Sequence, residues 1–250
     1  MTTAVAMLYP GHAAEDDYEL IEAAIGAAAP SLGVRLPVLI TEVDSDNHTV
    51  EAMAAVGERG RLADGVRRAL DHHPSAVMWA CTSGSFVYGF DGARRQAADV
   101  ADRAGRPASS TSLAFAGACR HLGLSRVAIA ATYPEPLAAR FIGFLADAGV
   151  EVVALRANDI GTATEAGTFD GDGLFEMLAA ADCDSAQAIV VPDTALHTAM
   201  WITDLETYVG KPVLTANQVT AWEGLRLAGL SVEVPGLGSL FTSPSDPPAG

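Results

Sequence analysis

The sequence predicts an α/β fold of two similar lobes, each built on a parallel sheet, related by a pseudo-twofold with a cleft between them. Three observations carry this. Short apolar runs stop abruptly at Gly, Pro or hydroxyl-rich turns and alternate with stretches of helical spacing, the pattern of buried parallel strands joined by helices. The pattern also repeats. Met7-Leu-Tyr9-Pro10 recurs as Ala131-Thr-Tyr133-Pro134, and Ala76-Val-Met-Trp-Ala-Cys81-Thr82-Ser83 recurs as Ala188-Ile-Val-Val-Pro-Asp193-Thr194-Ala195. Finally, 250 residues are enough for two modest domains with real cores. The expected first lobe spans 1–110 plus 212–250, and the second 111–211.

Taken in order, a strand over 4–8 ends at Tyr9-Pro10-Gly11, and Glu15, Asp16, Asp17 and Glu19 open a helix whose dipole favours acid in its first turn. A strand fits 34–40. A helix fits 50–70, with Met53, Val56, Leu62, Val66 and Leu70 near helical spacing and an interruption around Gly57 and Gly60. The strand over 76–80 follows, then a surface helix over 89–103. Ser109-Ser-Thr-Ser112 offers N-cap chemistry for the helix holding Cys119. The second half reads as strand 127–131, helix 135–148, strand 150–155, a loop with Asn158 and Asp159, helix 174–181 and strand 188–191. The tail reads as helix 199–208, strand 213–215, helix 218–228 and a Gly/Pro-rich end over 235–250 whose last residues are expected to be loose.

Half the residues are hydrophobic and 18% are charged, so the chain is read as compact rather than disordered. No run reaches the length of a membrane span, and the first ten residues lack a basic segment and a cleavage site, so a cytoplasmic protein is expected. The formal charge of −16, from 31 acidic against 15 basic residues, argues against nucleic acid or an anionic membrane as partner. The single lysine, Lys211, precedes a strand and so sits at the sheet end away from any ligand, which argues against Schiff-base chemistry. Three cysteines do not make a disulfide framework, and Cys119 and Cys183 read as structural. Six histidines without HExxH or cysteine pairing give no support for a metal site. Gly236-Leu-Gly-Ser is a partial dinucleotide pattern with no helix expected after it, and no P-loop occurs.

Chemistry concentrates at the two repeated turns. Open α/β sheets bind ligands beyond the carboxyl ends of their strands, which is where Cys81 falls. Backbone N–H groups of Thr82, Ser83 and Gly84 could cradle an anion there and draw the thiol toward thiolate. Inert packing is the alternative, since free cysteine is commonly buried. The repeat sets Asp193 and Thr194 opposite, across the cleft. Asp193 also fits a helix cap, Tyr133 before proline a strand-end plug, and His197 a solvated surface position or a place on the cleft.

Ala80-Cys-Thr-Ser-Gly-Ser-Phe86, the Thr132-Tyr133-Pro134 strand end, Val213-Leu-Thr-Ala-Asn-Gln-Val-Thr-Ala-Trp222 and Leu225-Arg-Leu-Ala-Gly229 resemble the maleate cis-trans isomerase and arylmalonate decarboxylase branch of the aspartate/glutamate racemase superfamily. The resemblance covers nearly the whole chain. It implies two Rossmann-like lobes, no cofactor, an oligomer, and a small acid with one or two carboxylates held between the lobes. Cys81 matches the family's first reactive cysteine, Thr82 and Ser83 its carboxylate-holding turn, and Tyr133 a tyrosine that hydrogen-bonds the substrate. Asn158 matches a second substrate asparagine. Two departures stand out: Asp193 replaces the second cysteine, and Gly11-His12-Ala13 replaces the first substrate asparagine, leaving His12 as a substitute donor or loop surface.

The expected function is therefore a cofactor-independent isomerase or racemase of a small (di)carboxylic acid, with Cys81 as nucleophile or base and Asp193 as proton partner. A malonate-type decarboxylase and a non-catalytic carboxylate-binding protein are the alternatives.

Overall fold

The computed structural model describes residues 2–11 and 13–243 and has two parallel sheets in a mixed α/β fold. In the first sheet, β1 (Thr3–Pro10) lies between β4 (Ala76–Trp79) and an edge shared by β2 (Val34–Arg35) and β3 (Val38–Thr41), with β5 (Ala108–Ser110) beyond β4. In the second sheet, β6 (Arg126–Ala131) lies between β7 (Glu151–Ala157) and β8 (Ala188–Val191), with β9 (Val213–Thr215) beyond β8. The two strand orders, β3-β1-β4-β5 and β7-β6-β8-β9, match one for one. Every pairing is parallel, so both sheets present their carboxyl ends at one mouth each.

Sheet register refines the repeat. Ala76 lies opposite Val5 and Ala188 opposite Val127, so aligning the two reactive turns aligns Tyr9 with Ala131. Tyr133 stands two residues further on. The two Tyr-Pro pairs therefore resemble each other in sequence without occupying equivalent places. The single strand expected over 34–40 is also divided, because Pro37 has no N–H for the ladder and the pairing resumes at Val38.

The strand over 213–215 hydrogen-bonds to β8, which corrects the expected return to the first lobe at 212. The return begins with the helix Ala216–Leu227, which packs closely on the first sheet. A Cβ on Gly224 would lie 2.5 Å from Val5 Cγ1 and 3.0 Å from Met78 Cγ, so only glycine allows this approach. Its counterpart, the helix Thr111–His121 after β5, sets Phe115 against Phe141 of the helix Glu135–Asp147, with ring centroids 5.6 Å apart. The two crossing helices meet through the Thr111 and Thr220 hydroxyls at 2.7 Å. Residues 244–250, part of the expected loose end, lie outside the described residues.

The helix expected over 50–70 is two, Val50–Val56 and Arg59–Ala69, parted at Gly57. The reason is contact with the Cys81 turn, since a Cβ on Gly57 would fall 2.1 Å from the Gly84 carbonyl oxygen. A short helix, Gly238–Thr242, follows Gly236-Leu237, contrary to the sequence expectation. No β-strand leads directly into it, so the strand–turn–helix setting of a dinucleotide site is still missing. Among the described residues no helix is long and apolar enough to cross a membrane.

Candidate active site

β4 is buried along its whole length, and its last residue, Trp79, fixes the turn that follows by donating from Nε1 to the Gly84 carbonyl at 3.3 Å. Gln96 donates to the same carbonyl at 3.0 Å and to Gly57 O at 2.9 Å. Held this way, the short helix Ser83–Phe86 aims the Gly84 N–H at Cys81 Sγ, 3.3 Å away. The Ser83 hydroxyl donates to Met53 Sδ at 2.9 Å and lies 3.9 Å from the thiol.

The expectation that these donors would favour thiolate is corrected. Cys81 is only 3% exposed, and burial pushes its thiol up to about 12 despite the opposing Gly84 N–H and Ser83 hydroxyl. The Asp193 charge pushes in the same direction as burial. In this state the sulfur is a protonated thiol at neutral pH.

The second turn is wired differently. Asp193 follows the fully buried β8, and its Oδ1 accepts the Ala195 N–H at 2.9 Å while its Oδ2 accepts the Thr132 hydroxyl at the end of β6. No helix starts here; the next begins at Ile202, so the carboxylate caps a turn and not a helix. Tyr9 reaches across from the first lobe and donates its hydroxyl to Thr194 O at 2.8 Å.

Above the cleft, the loops after the equivalent strands β3 and β7 join each other. Asn47 and Thr162 form an antiparallel bridge, His48 N donates to Gly161 O at 2.8 Å, and Ala163 N donates to Asp46 O at 3.0 Å. The Thr164 N–H and hydroxyl bind the Asp46 carboxylate at 3.0 and 2.6 Å, and that hydroxyl bond holds its carboxyl below the usual carboxylate range. Inside, His48 Nδ1 meets Ile160 O at 2.9 Å and Nε2 lies 3.8 Å from Asp193 Oδ2.

Beneath these loops is a cavity of about 280 Å³ lined by Cys81, Ser83, Asp193 and Thr194, together with Tyr9 and His48. The structure thus brings four of the expected site residues to one space. Three others stand back. Thr82 Oγ1 is buried without a hydrogen-bond partner behind the turn, Tyr133 donates to Pro192 O at 2.5 Å, and the Asn158 amide donates to Ala131 O at 2.8 Å. None of these three lines the cavity. Burial, reinforced by the Asp193 charge, pushes the Tyr133 hydroxyl well up, so it stays a donor. His12 lies outside the described residues.

His197 pairs with Asp16 at 2.9 Å on the surface, as its solvated reading expected. Cys119 is fully buried in the core and Cys183 half-buried, its sulfur 3.4 Å from the Ser185 hydroxyl. Lys211 is tied to Asp182 at 2.6 Å, just before β9 and so at the far end of the sheet. No lysine or arginine lines the cavity, and among the described residues no group of three or more His, Cys, Asp or Glu could hold a metal ion. His48, Tyr9 and Met53 are among the lining residues that the sequence analysis did not single out as site residues.

A family model described as arylmalonate decarboxylase matches residues 49–241, which takes in both reactive turns and all but the first strands. The chain belongs to the arylmalonate decarboxylase family. Within that family, the arylmalonate decarboxylase of Bordetella bronchiseptica is 30% identical over 224 residues, covering 85% of this chain and 90% of that protein. A maleate isomerase of Nocardia farcinica is 27% identical over 206 residues, covering 79% of this chain and 81% of that protein. A crystal structure of a Pseudomonas putida maleate isomerase with maleate superposes with a TM-score of 0.88 at 22% identity, over 98% of this chain and 99% of that one, which shows the shared fold. The relatives of this family member are thus enzymes of two classes, isomerases and a decarboxylase.

Proposed function

We propose that the chain is a cofactor-independent isomerase or racemase of a small carboxylic acid, resembling the maleate isomerases, with Cys81 and Asp193 as its reacting pair. The observation that carries it is their common place: both follow equivalent strands, and both line one cavity.

Each residue has a definable task. A substrate carboxylate lies at the turn of Thr82 and Ser83, where backbone N–H groups and the Ser83 side chain, which lines the cavity, can receive it. Asp193 takes the proton that burial keeps on Cys81. The sulfur then bonds to one carbon of the substrate double bond, the π electrons move toward the carboxylate, and Asp193 returns the proton to the other carbon. Rotation about the former double bond, now single, followed by the reverse steps releases the trans acid, with no net gain or loss of atoms. The Nocardia farcinica relative has been captured, as a variant, with a covalently bound succinylcysteine intermediate, which supports thiol addition within this group.

Conversion of maleate to fumarate, followed by proton NMR in deuterium oxide, tests this. The parent chain is expected to convert the acid and Cys81→Ala is not; retained activity in that variant contradicts the assignment.

Decarboxylation of a malonate is the second reading, favoured by the 30% identity to the Bordetella bronchiseptica enzyme and by a cavity that holds one cysteine rather than two. Gas release from a disubstituted malonate with no maleate turnover would select it.

A further inference from the structure

We infer that His48 is the proton-exchanging partner of Asp193, so that the acid/base opposite Cys81 is a carboxylate–imidazole pair; this rests on the Cys81 and Asp193 reading above. A carbonyl oxygen can only accept, so the 2.9 Å contact of Nδ1 with Ile160 O places a proton on Nδ1. Nε2 is then the ring's only exchangeable position. It faces Asp193 Oδ2 at 3.8 Å, with the two side chains just 2% and 4% exposed.

The surroundings fix that aim. The His48 backbone is bound to Gly161 O at 2.8 Å, and the Tyr133 ring stands edge-on to the imidazole with centroids 5.0 Å apart. The titratable groups around the pair are Asp193 from the turn after β8, Asp46 from the ring's own loop, Tyr133 from the end of β6, Tyr9 from β1 and Cys81 from the turn after β4. Among the described residues lining the cavity there is no lysine or arginine, and His48 is the one basic side chain.

The exchange balances. The proton that Asp193 Oδ2 takes from Cys81 passes on to Nε2, turning neutral imidazole into imidazolium; it returns through Oδ2 to the substrate carbon, and the reverse steps bring a proton back by the same route to the sulfur. Both oxygens of this 4% exposed carboxylate are already bonded to protein donors, and among the described residues no other side-chain nitrogen is paired with it.

Nitrogen-15 NMR of the intact chain, labelled at histidine and assigned with His48→Asn, tests the pair without needing turnover. Nδ1 is expected to carry a bonded proton, and the Nε2 resonance to move in Asp193→Asn while Nδ1 stays. A bare Nδ1, or an Nε2 signal indifferent to Asp193→Asn, overturns the inference. In turnover, His48→Asn keeps an amide N–H for Ile160 O but lacks Nε2. Its kcat is expected to fall by roughly 10²-fold at unchanged KM, to lose one limb of the pH profile, and to recover with added imidazole. Parent-like kcat and pH profile overturn the inference equally. An active Cys81→Ala would instead defeat the thiol assignment and leave the ring-nitrogen result standing.

Discussion

The two mouth turns occupy equivalent places on equivalent sheets, yet their surroundings treat the reactive atom in opposite ways. At the first, Cys81 faces the Gly84 N–H, the Ser83 backbone and a distant Ser83 hydroxyl, and burial outweighs them, so the sulfur keeps its proton. At the second, both oxygens of Asp193 are bonded to donors, the Thr132 hydroxyl and the Ala195 N–H, and an imidazole faces it. The contrast teaches that one backbone plan can hold a buried, protonated thiol in one lobe and a fully hydrogen-bonded carboxylate in the other. The repeat provides position; the side chains around each turn provide the chemistry.

Substitutions that remove one side of the contrast are expected to act most strongly. Cys81→Ala should lower turnover by at least about 10³-fold with the fold intact, read by NMR of product and by circular dichroism. Asp193→Asn should lower kcat by roughly 10²- to 10³-fold, since the thiol then has no acceptor for its proton. The same substitution should speed alkylation of Cys81 by iodoacetamide, because the Asp193 charge is one of the causes that raise the thiol. In the parent, alkylation at neutral pH should be slow and rise with pH toward about 12; a rate that levels off near pH 9 would contradict a burial-dominated thiol.

The platform beneath the turns gives smaller effects. Asp17 is fully buried and accepts from Thr198 N at 2.9 Å, from Ala199 N at 3.2 Å and from Asn217 Nδ2 at 3.0 Å, tying the first lobe's opening helix to the segment after the Asp193 turn. Asp17→Ala leaves those donors unpaired and should cost about 2–4 kcal/mol in urea unfolding. Burial raises the Asp17 carboxyl despite these bonds, so its contribution is fullest below its unfolded value and shrinks as pH rises through the folded one. Gly57→Ala forces the first lobe's helices off the Gly84 carbonyl and should cost about 1–3 kcal/mol. Because Gly84 also supports the Cys81 sulfur, it should lower kcat more than Asp17→Ala does.

Most of the fold was legible because buried parallel strands are continuous apolar runs. β1, β4, β6 and β8 announce themselves as such, and both reactive turns follow from where those runs stop. β5 was not legible. Its Ala-Ser-Ser carries no apolar signal, and Ser110 doubles as a helix cap accepting from Leu113 N. The Tyr-Pro recurrence misled by two residues, since a short motif does not reveal sheet register. His48 was invisible for a different reason. It lies in a polar loop, Asp44-Ser-Asp-Asn-His-Thr, and its partners Ile160 and Asp193 are 112 and 145 positions away, a proximity only the closing of two lobes creates. Tyr133 and Asn158 could be located along the chain, but not the backbone carbonyls that occupy them.

The claim that the two turns work as one site is tested most directly by a double-mutant cycle on turnover, with Cys81→Ala, Asp193→Asn and the pair combined in the full chain. If sulfur and carboxylate serve a single proton-and-bond exchange, the combined variant should be about as slow as Cys81→Ala alone. Losses that simply multiply would mean that the two residues act independently, and the account would fail.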